Sequence, residues 1–171
     1  DVCDMIEREN LLDTVKTAAD LAPEVDGMVL VPAGTFTFGA DEAARDIHLE
    51  PFYIDVLPVT NARYREFLEE TKYRRPRLWE LRPELAEDEL PVTGVSWMDA
   101  LQYCKWRGHA LPTAEQWEKA ARGPESLTYP WGESEPTPSQ ANFLLPGELP
   151  QLQPVARYLS QRSPYGAAAM I

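Results

Sequence analysis

Residues 90–132 read LPVTGVSWMDALQYCKWRGHALPTAEQWEKAARGPESLTYPWG, and two short helices with their own starts and stops are written in them. Ser96 is a suitable N-cap for the first, because its hydroxyl can accept a backbone N–H that the first turn leaves unpaired. Trp97, Ala100, Leu101 and Cys104 follow at i, i+3, i+4 and i+7, which predicts one apolar stripe. Arg107-Gly108 ends the helix, since glycine adopts the left-handed conformation that closes one. Thr113 opens the second helix, with Gln116 at the capping-box spacing. Trp117, Ala120 and Ala121 form its expected stripe, and Gly123-Pro124 stops it. On this reading Trp97, Tyr103, Cys104, Trp106, Trp117 and Trp131 belong to one buried, connected core.

The same stretch carries a resemblance. Val95-Ser96-Trp97, Asp99-Ala100, Tyr103-Cys104-Lys105-Trp106, Leu111-Pro112-Thr113, Glu115, Trp117-Glu118, Ala120-Ala121-Arg122-Gly123 and Tyr129-Pro130-Trp131-Gly132 resemble the formylglycine-generating enzyme (sulfatase-modifying factor) family. That family includes domains of ergothioneine-type sulfoxide synthases and variable proteins of diversity-generating retroelements. Upstream, Met28-Val29, Val31-Pro32-Ala33-Gly34-Thr35-Phe36, Phe52-Tyr53-Ile54-Asp55, Val59-Thr60-Asn61 and Tyr64 fit as well. The resemblance runs from about Gly27 to Ile171. It implies an α+β, C-type-lectin-like fold, loop-rich and incomplete at its C-terminus, over residues 27–171 after a helical extension over 1–26. It implies an activity poorly, because members of one fold differ in chemistry.

Length and composition agree with one domain. The chain has 171 residues, 44% of them hydrophobic, and five tryptophans. Its 16 basic and 28 acidic residues give a formal net charge of −12, which argues against nucleic acid or an anionic membrane surface as a partner. Cys3 and Cys104 are too few for a disulfide framework, and no bond between them is expected. No apolar run reaches membrane-span length and no signal segment is visible, so a cytoplasmic location is the default expectation.

Working outward, residues 3–21 read as a helix ended by Pro23. Met28–Val31 and Thr35–Phe38, joined by Pro32-Ala33-Gly34, read as a hairpin, and Ile47–Asp55 as a third strand with Pro51 at an edge or bulge. Thr60 caps a helix through Glu70 with Tyr64, Phe67, Leu68 and Thr71 on one face; Val59 and Tyr64 occupy the positions of a hydrophobic staple. Lys72–Pro91 is highly charged and reads as a surface loop with one helical turn near Pro83–Glu87. Pro154–Tyr158 is expected as a short strand. In the family, Ser163-Pro164-Tyr165-Gly166 and Met170 lead into a Gly-Asn-apolar-Trp-Glu-Trp piece that completes the central sheet. The resemblance therefore implies a further partner, either a remaining C-terminal segment or a second chain, to complete the fold.

Residues with chemical potential each have an ordinary structural explanation. Cys104 lies on the predicted buried stripe, where a thiolate is disfavoured. The resemblance places the copper-binding cysteine pair of the oxidase members in the C-terminal part, which Cys104 does not match. His48 and His109 form no metal-binding spacing. Asp55, Asp99, Glu115 and Glu118 are acid/base candidates, but the last three fall in first helical turns, where a carboxylate favours the helix dipole. Asn142 falls where family members start a calcium loop, although here the loop is shortened and its only acid is Glu148. Arg74, Arg75 and Arg77, with Lys72, Tyr73 and Trp79, form a basic, aromatic cluster suited to a phosphate or an acidic partner; pairing with Glu80, Glu84, Glu87, Asp88 and Glu89 is the competing expectation. No residue of the chain is expected to be catalytic. Two functions follow: a non-catalytic module binding a protein or small ligand through its loops, or a copper- and oxygen-dependent oxidoreductase converting a substrate cysteine to formylglycine.

Overall fold

Three helix starts form as their sequences dictate. In the computed structural model, which describes residues 26–143 and 151–170, Thr60 caps helix α1 (Asn61–Thr71) by accepting from the Arg63 N–H. Lys72 closes that helix in the left-handed conformation. Ser96 and Asp99 form a reciprocal capping box at the start of α3 (Trp97–Trp106). Thr113 and Gln116 do the same for α4 (Ala114–Arg122). Each box satisfies two backbone donors that the first turn strands. Between them lies α2 (Arg77–Leu81), in the stretch expected to be loop, followed by the anticipated turn at Pro83–Ala86. Trp79 explains α2: it is buried and meets Tyr64 edge to face at 6.2 Å, an anchor hidden among charged neighbours.

The strands depart from the expected hairpin. β1 (Met28–Val31) pairs antiparallel with β4 (Phe52–Asp55), and β2 (Gly34–Phe38) pairs with β3 (Arg45–Leu49). The result is one β-ladder nested inside another, as two separate two-stranded sheets. Pro32 and Gly34 do not close a hairpin because the Lys119 ammonium takes both their carbonyls, at 2.7 and 2.9 Å. The single strand expected over Ile47–Asp55 is cut at Glu50-Pro51, where proline cannot donate to a ladder. Val155–Tyr158 is a 3₁₀ turn rather than a strand. Its two buried residues, Val155 and Tyr158, are three apart, and that spacing selects one face of a three-residue turn.

The predicted tryptophan stripes are wrong. Trp97 is 66% exposed and Trp117 41% exposed. The inward face of α3 is Asp99 and Tyr103, with Trp106 packed against the same cluster; that of α4 is Lys119, Ala120 and Ala121. Both helices are rotated from the apolar pattern because each buries a charged residue whose partners are already provided. Two clusters result. One is aromatic, built from Tyr64, Phe67, Leu68, Trp79 and Tyr103. The other is aliphatic, built from Val29, Val31, Val56, Ala120, Ala121, Ala167 and Met170. Residues 163–170 join the second through the Ala168 N–H, which donates to the Val56 carbonyl at 2.7 Å. Gly123 permits this approach: it sits at φ +72°, and a Cβ there would lie 2.5 Å from Pro164 Cγ.

The expected helix over residues 3–21, Cys3, and the loop residues 144–150 that include Glu148 lie outside the described residues.

Candidate functional site

A cleft of about 740 Å³ opens between β4, the α3–α4 turn and the chain near residue 170. Met28, Phe52, Ile54, Leu111, Trp117 and Met170 supply most of its apolar wall. The β4 strand contributes Phe52 to Asp55, and the turn His109 to Pro112 closes the opposite side. That turn is held by the His109 backbone N–H, which donates to the Cys104 carbonyl at 2.8 Å.

Asp55, Cys104 and His109 all reach the same cleft, with Asp26 and Gln116 also in its lining. Spacing gave no hint that these would meet, since they come from a strand, a helix and a turn. Asp55 Oδ1 is buried with no hydrogen-bond partner. Burial first, and the Asp55 charge second, push the Cys104 thiol up from its ordinary value. That direction disfavours the thiolate, the nucleophilic form of a cysteine. His48 is elsewhere, on β3, near Thr35 and Glu50.

The acidic candidates are dispersed. Glu118 accepts the Gly39 N–H at 2.8 Å and pairs with Arg122. Glu115 is held below the usual carboxylate range by its own backbone N–H and then by Thr113, a first-turn effect. Asn142 is exposed, and its Nδ2 donates to the Gln151 carbonyl at 2.9 Å. Among the described residues no group of three or more His, Cys, Asp or Glu side chains could hold a metal. Calcium needs six to eight oxygens including carboxylate, and the loop that would supply them beside Asn142 runs over residues 144–150, outside the described residues.

The basic cluster frames a second, smaller pocket of about 240 Å³, lined by Tyr64, Arg74, Arg75, Pro76, Arg77, Gly94, Val95 and Asp99. Asp99 Oδ1 accepts from the Tyr73 hydroxyl and from Arg74 Nη2, both at 2.9 Å. Its Oδ2 accepts from the Ser96 N–H at 2.8 Å and the Ser96 hydroxyl at 2.7 Å. The Ser96 backbone N–H, followed by Arg74, holds this carboxyl far below the usual range. Trp79 does not line the pocket; it is buried, with the Arg65 guanidinium over its ring at 5.2 Å. The anticipated pairing with downstream acids is also redirected, because Glu84 pairs with Arg82 and Asp88 with Arg65.

The model of the sulfatase-modifying factor enzyme 1-like domain matches residues 14–171. The chain is 35% identical over 156 residues to the inactive C-alpha-formylglycine-generating enzyme 2 of Bos taurus, covering 61% of this chain and 52% of that protein. It is 32% identical over 205 residues to the hercynine oxygenase of Mycolicibacterium smegmatis, covering 94% of this chain and 47% of the relative. With the uncharacterized protein YfmG of Bacillus subtilis it shares 37% identity over 140 residues, covering 64% of this chain and 28% of the relative. The chain thus spans about half or less of the length of these relatives. Its small antiparallel sheets and capped helices agree with a mixed α+β architecture, and among the described residues no helix is long and apolar enough to cross a membrane. The chain belongs to the sulfatase-modifying factor enzyme 1-like, or formylglycine-generating-enzyme-like, domain family.

Proposed function

We propose that this chain is a non-catalytic recognition module whose cleft beside β4 takes an extended polypeptide segment. The observation that carries this reading is the cleft itself: about 740 Å³, walled mainly by apolar side chains, with Trp117 left 41% exposed at it. That volume falls in the range of about 300–1,000 Å³ typical of ligand sites. Among the described residues β4 pairs with one strand, β1, and an added strand would use its other edge. A later segment of a longer protein, or a second chain, would cover the apolar wall in the same manner. Burial disfavours the thiolate of Cys104, which supports a binding role for the cleft. One relative is itself named inactive.

A second reading is kept because other relatives are named hercynine oxygenase and formylglycine-generating enzyme. It makes the chain part of a copper- and oxygen-dependent oxidoreductase. The residues described here do not fit the copper, so no step is assigned to them.

Peptide display against the 171-residue chain tests the first reading. Wild-type protein should enrich peptides with alternating apolar residues, and Leu111→Asp/Trp117→Asp should lose that enrichment. Enrichment unchanged by the two substitutions would count against the cleft. Copper-dependent oxygen uptake with a cysteine peptide would favour the oxidoreductase.

A further inference from the structure

The small pocket between α2 and α3 is lined by one paired arginine and, among the described residues, two unpaired ones. Arg74 and Asp99 cancel each other in a direct pair. Arg75 and Arg77 line the same pocket, are exposed, and have no hydrogen-bonding or ionic partner among the described residues. Two positive charges therefore face one opening on a chain whose overall balance is −12. Gly94 helps to fix the opening. It sits at φ +71°, and a Cβ there would lie 2.7 Å from Leu78 Cβ, so the loop lies directly against α2. Tyr64 contributes to the lining, and burial pushes its hydroxyl up to about 12, so it remains a neutral phenol at physiological pH.

We propose that Arg75 and Arg77 clamp a tetrahedral dianion, a phosphoryl group above all, in this pocket. Guanidinium forks match oxyanion geometry in a bidentate way, and their charge is permanent. A phosphomonoester carries about −1.5 to −2 at neutral pH, which matches two free arginines better than the single charge of a carboxylate. The volume of about 240 Å³ suits one small group rather than a drug-sized ligand. Long polyanions are disfavoured. An extended polyanion would meet the field of a chain whose net charge is −12, screened only beyond a Debye length of about 8 Å. The site is separate from the β4 cleft and stands whether or not that cleft binds a peptide.

Titration calorimetry of the 171-residue chain at constant ionic strength tests the clamp, with inorganic phosphate, phenyl phosphate, sulfate and acetate as probes. Phosphate and sulfate should bind at one site, and acetate about tenfold more weakly. Arg75→Gln and Arg77→Gln should each weaken phosphate about tenfold, as expected for loss of a charge-assisted hydrogen bond. Arg157→Gln, outside the pocket, should change nothing. Phenyl phosphate bound as well as phosphate assigns the site to phosphomonoesters; its rejection assigns the site to the free anion, and either supports the clamp. If a glutamine variant melts early, Arg75→Lys/Arg77→Lys keeps the charge, loses the fork and should bind with intermediate strength. Absence of saturable binding, acetate binding as tight as phosphate, or phosphate binding unchanged in the double glutamine variant would overturn the proposal.

Discussion

The aromatic cluster around Tyr64 and the aliphatic cluster around Val29 are built by opposite means. The first closes on itself: Tyr64 contacts Phe67, Trp79 and Tyr103 at ring separations of 5.2, 6.2 and 5.6 Å, and Phe67 adds Tyr73 and Trp106. Such pairs add attraction beyond the area they bury. The second is made of valines and alanines, with Phe52, Ile54 and Tyr165 only partly buried against it. Phe52, Ile54 and Met170 also line the large cleft, so this cluster continues to the surface. Each cluster lies beside one buried charge. Among the described residues Asp99 beside the aromatics has a guanidinium, a phenol and a serine for partners, whereas Lys119 beside the aliphatics has two carbonyls. The first region is held ring against ring, with Tyr64 and Tyr103 each reaching one pocket wall; the second runs along the large cleft through Phe52, Ile54 and Met170.

The largest effect should come from opening the closed cluster. Tyr64→Ala should cost about 3–5 kcal/mol, as deletion of a buried ring leaves a cavity its neighbours cannot fill. A urea denaturation midpoint reports it, and a loss below about 1 kcal/mol would remove the distinction between the clusters.

Much of that closed cluster was legible in the sequence, for a local reason. Caps at Thr60, Ser96 and Thr113, and the staple of Val59 with Tyr64, involve residues only a few positions apart. The open region was misread because its determinants are distant. Lys119 lies 87 residues from the Pro32 carbonyl that turns β1 away from β2. A charged residue that faces inward also breaks the apolar stripe, which is why Trp97 and Trp117 were expected inside. The site suffered the same way: Asp55, Cys104 and His109 belong to three elements with no common spacing. The arginines of the smaller pocket were visible because they are consecutive or nearly so.

Next in size are the two buried charges. Asp99→Asn should cost about 2 kcal/mol at neutral pH, the scale of lost charge-assisted hydrogen bonds. The sign with pH follows from its depressed carboxyl. Its contribution is complete above the unfolded value near 3.9 and disappears as pH falls through the lower folded value. The acid limb of the wild-type stability profile should therefore be steeper than that of Asp99→Asn. Lys119 behaves differently, since burial lowers its ammonium value. The unfolded state then holds more protons, and stability should rise with pH through the folded value toward about 10.4. Lys119→Met should abolish that alkaline rise and cost about 1–3 kcal/mol at neutral pH, because the Pro32 and Gly34 carbonyls lose their donor.

Smaller still are the exposed tryptophans. Trp117→Ala should cost about 1 kcal/mol in stability, in proportion to its partial burial, yet remove peptide enrichment by the cleft. Trp97→Ala, more exposed, should stay within about 0.5 kcal/mol and leave the cleft unaffected. A Trp97 effect as large as that of Tyr64 would mean that the helix is rotated back toward the stripe read from the sequence.

Hydrogen exchange measured by mass spectrometry compares the two regions in one experiment. The segment Tyr64–Leu68 of α1 should exchange only on global unfolding. The segments of β1 and β4, Met28–Val31 and Phe52–Asp55, should exchange by local opening, about 100-fold faster. A peptide selected for the cleft should then slow β1 and β4 without changing α1. Equal protection of both regions in the free chain, with no change at β4 when the peptide is added, would contradict the account.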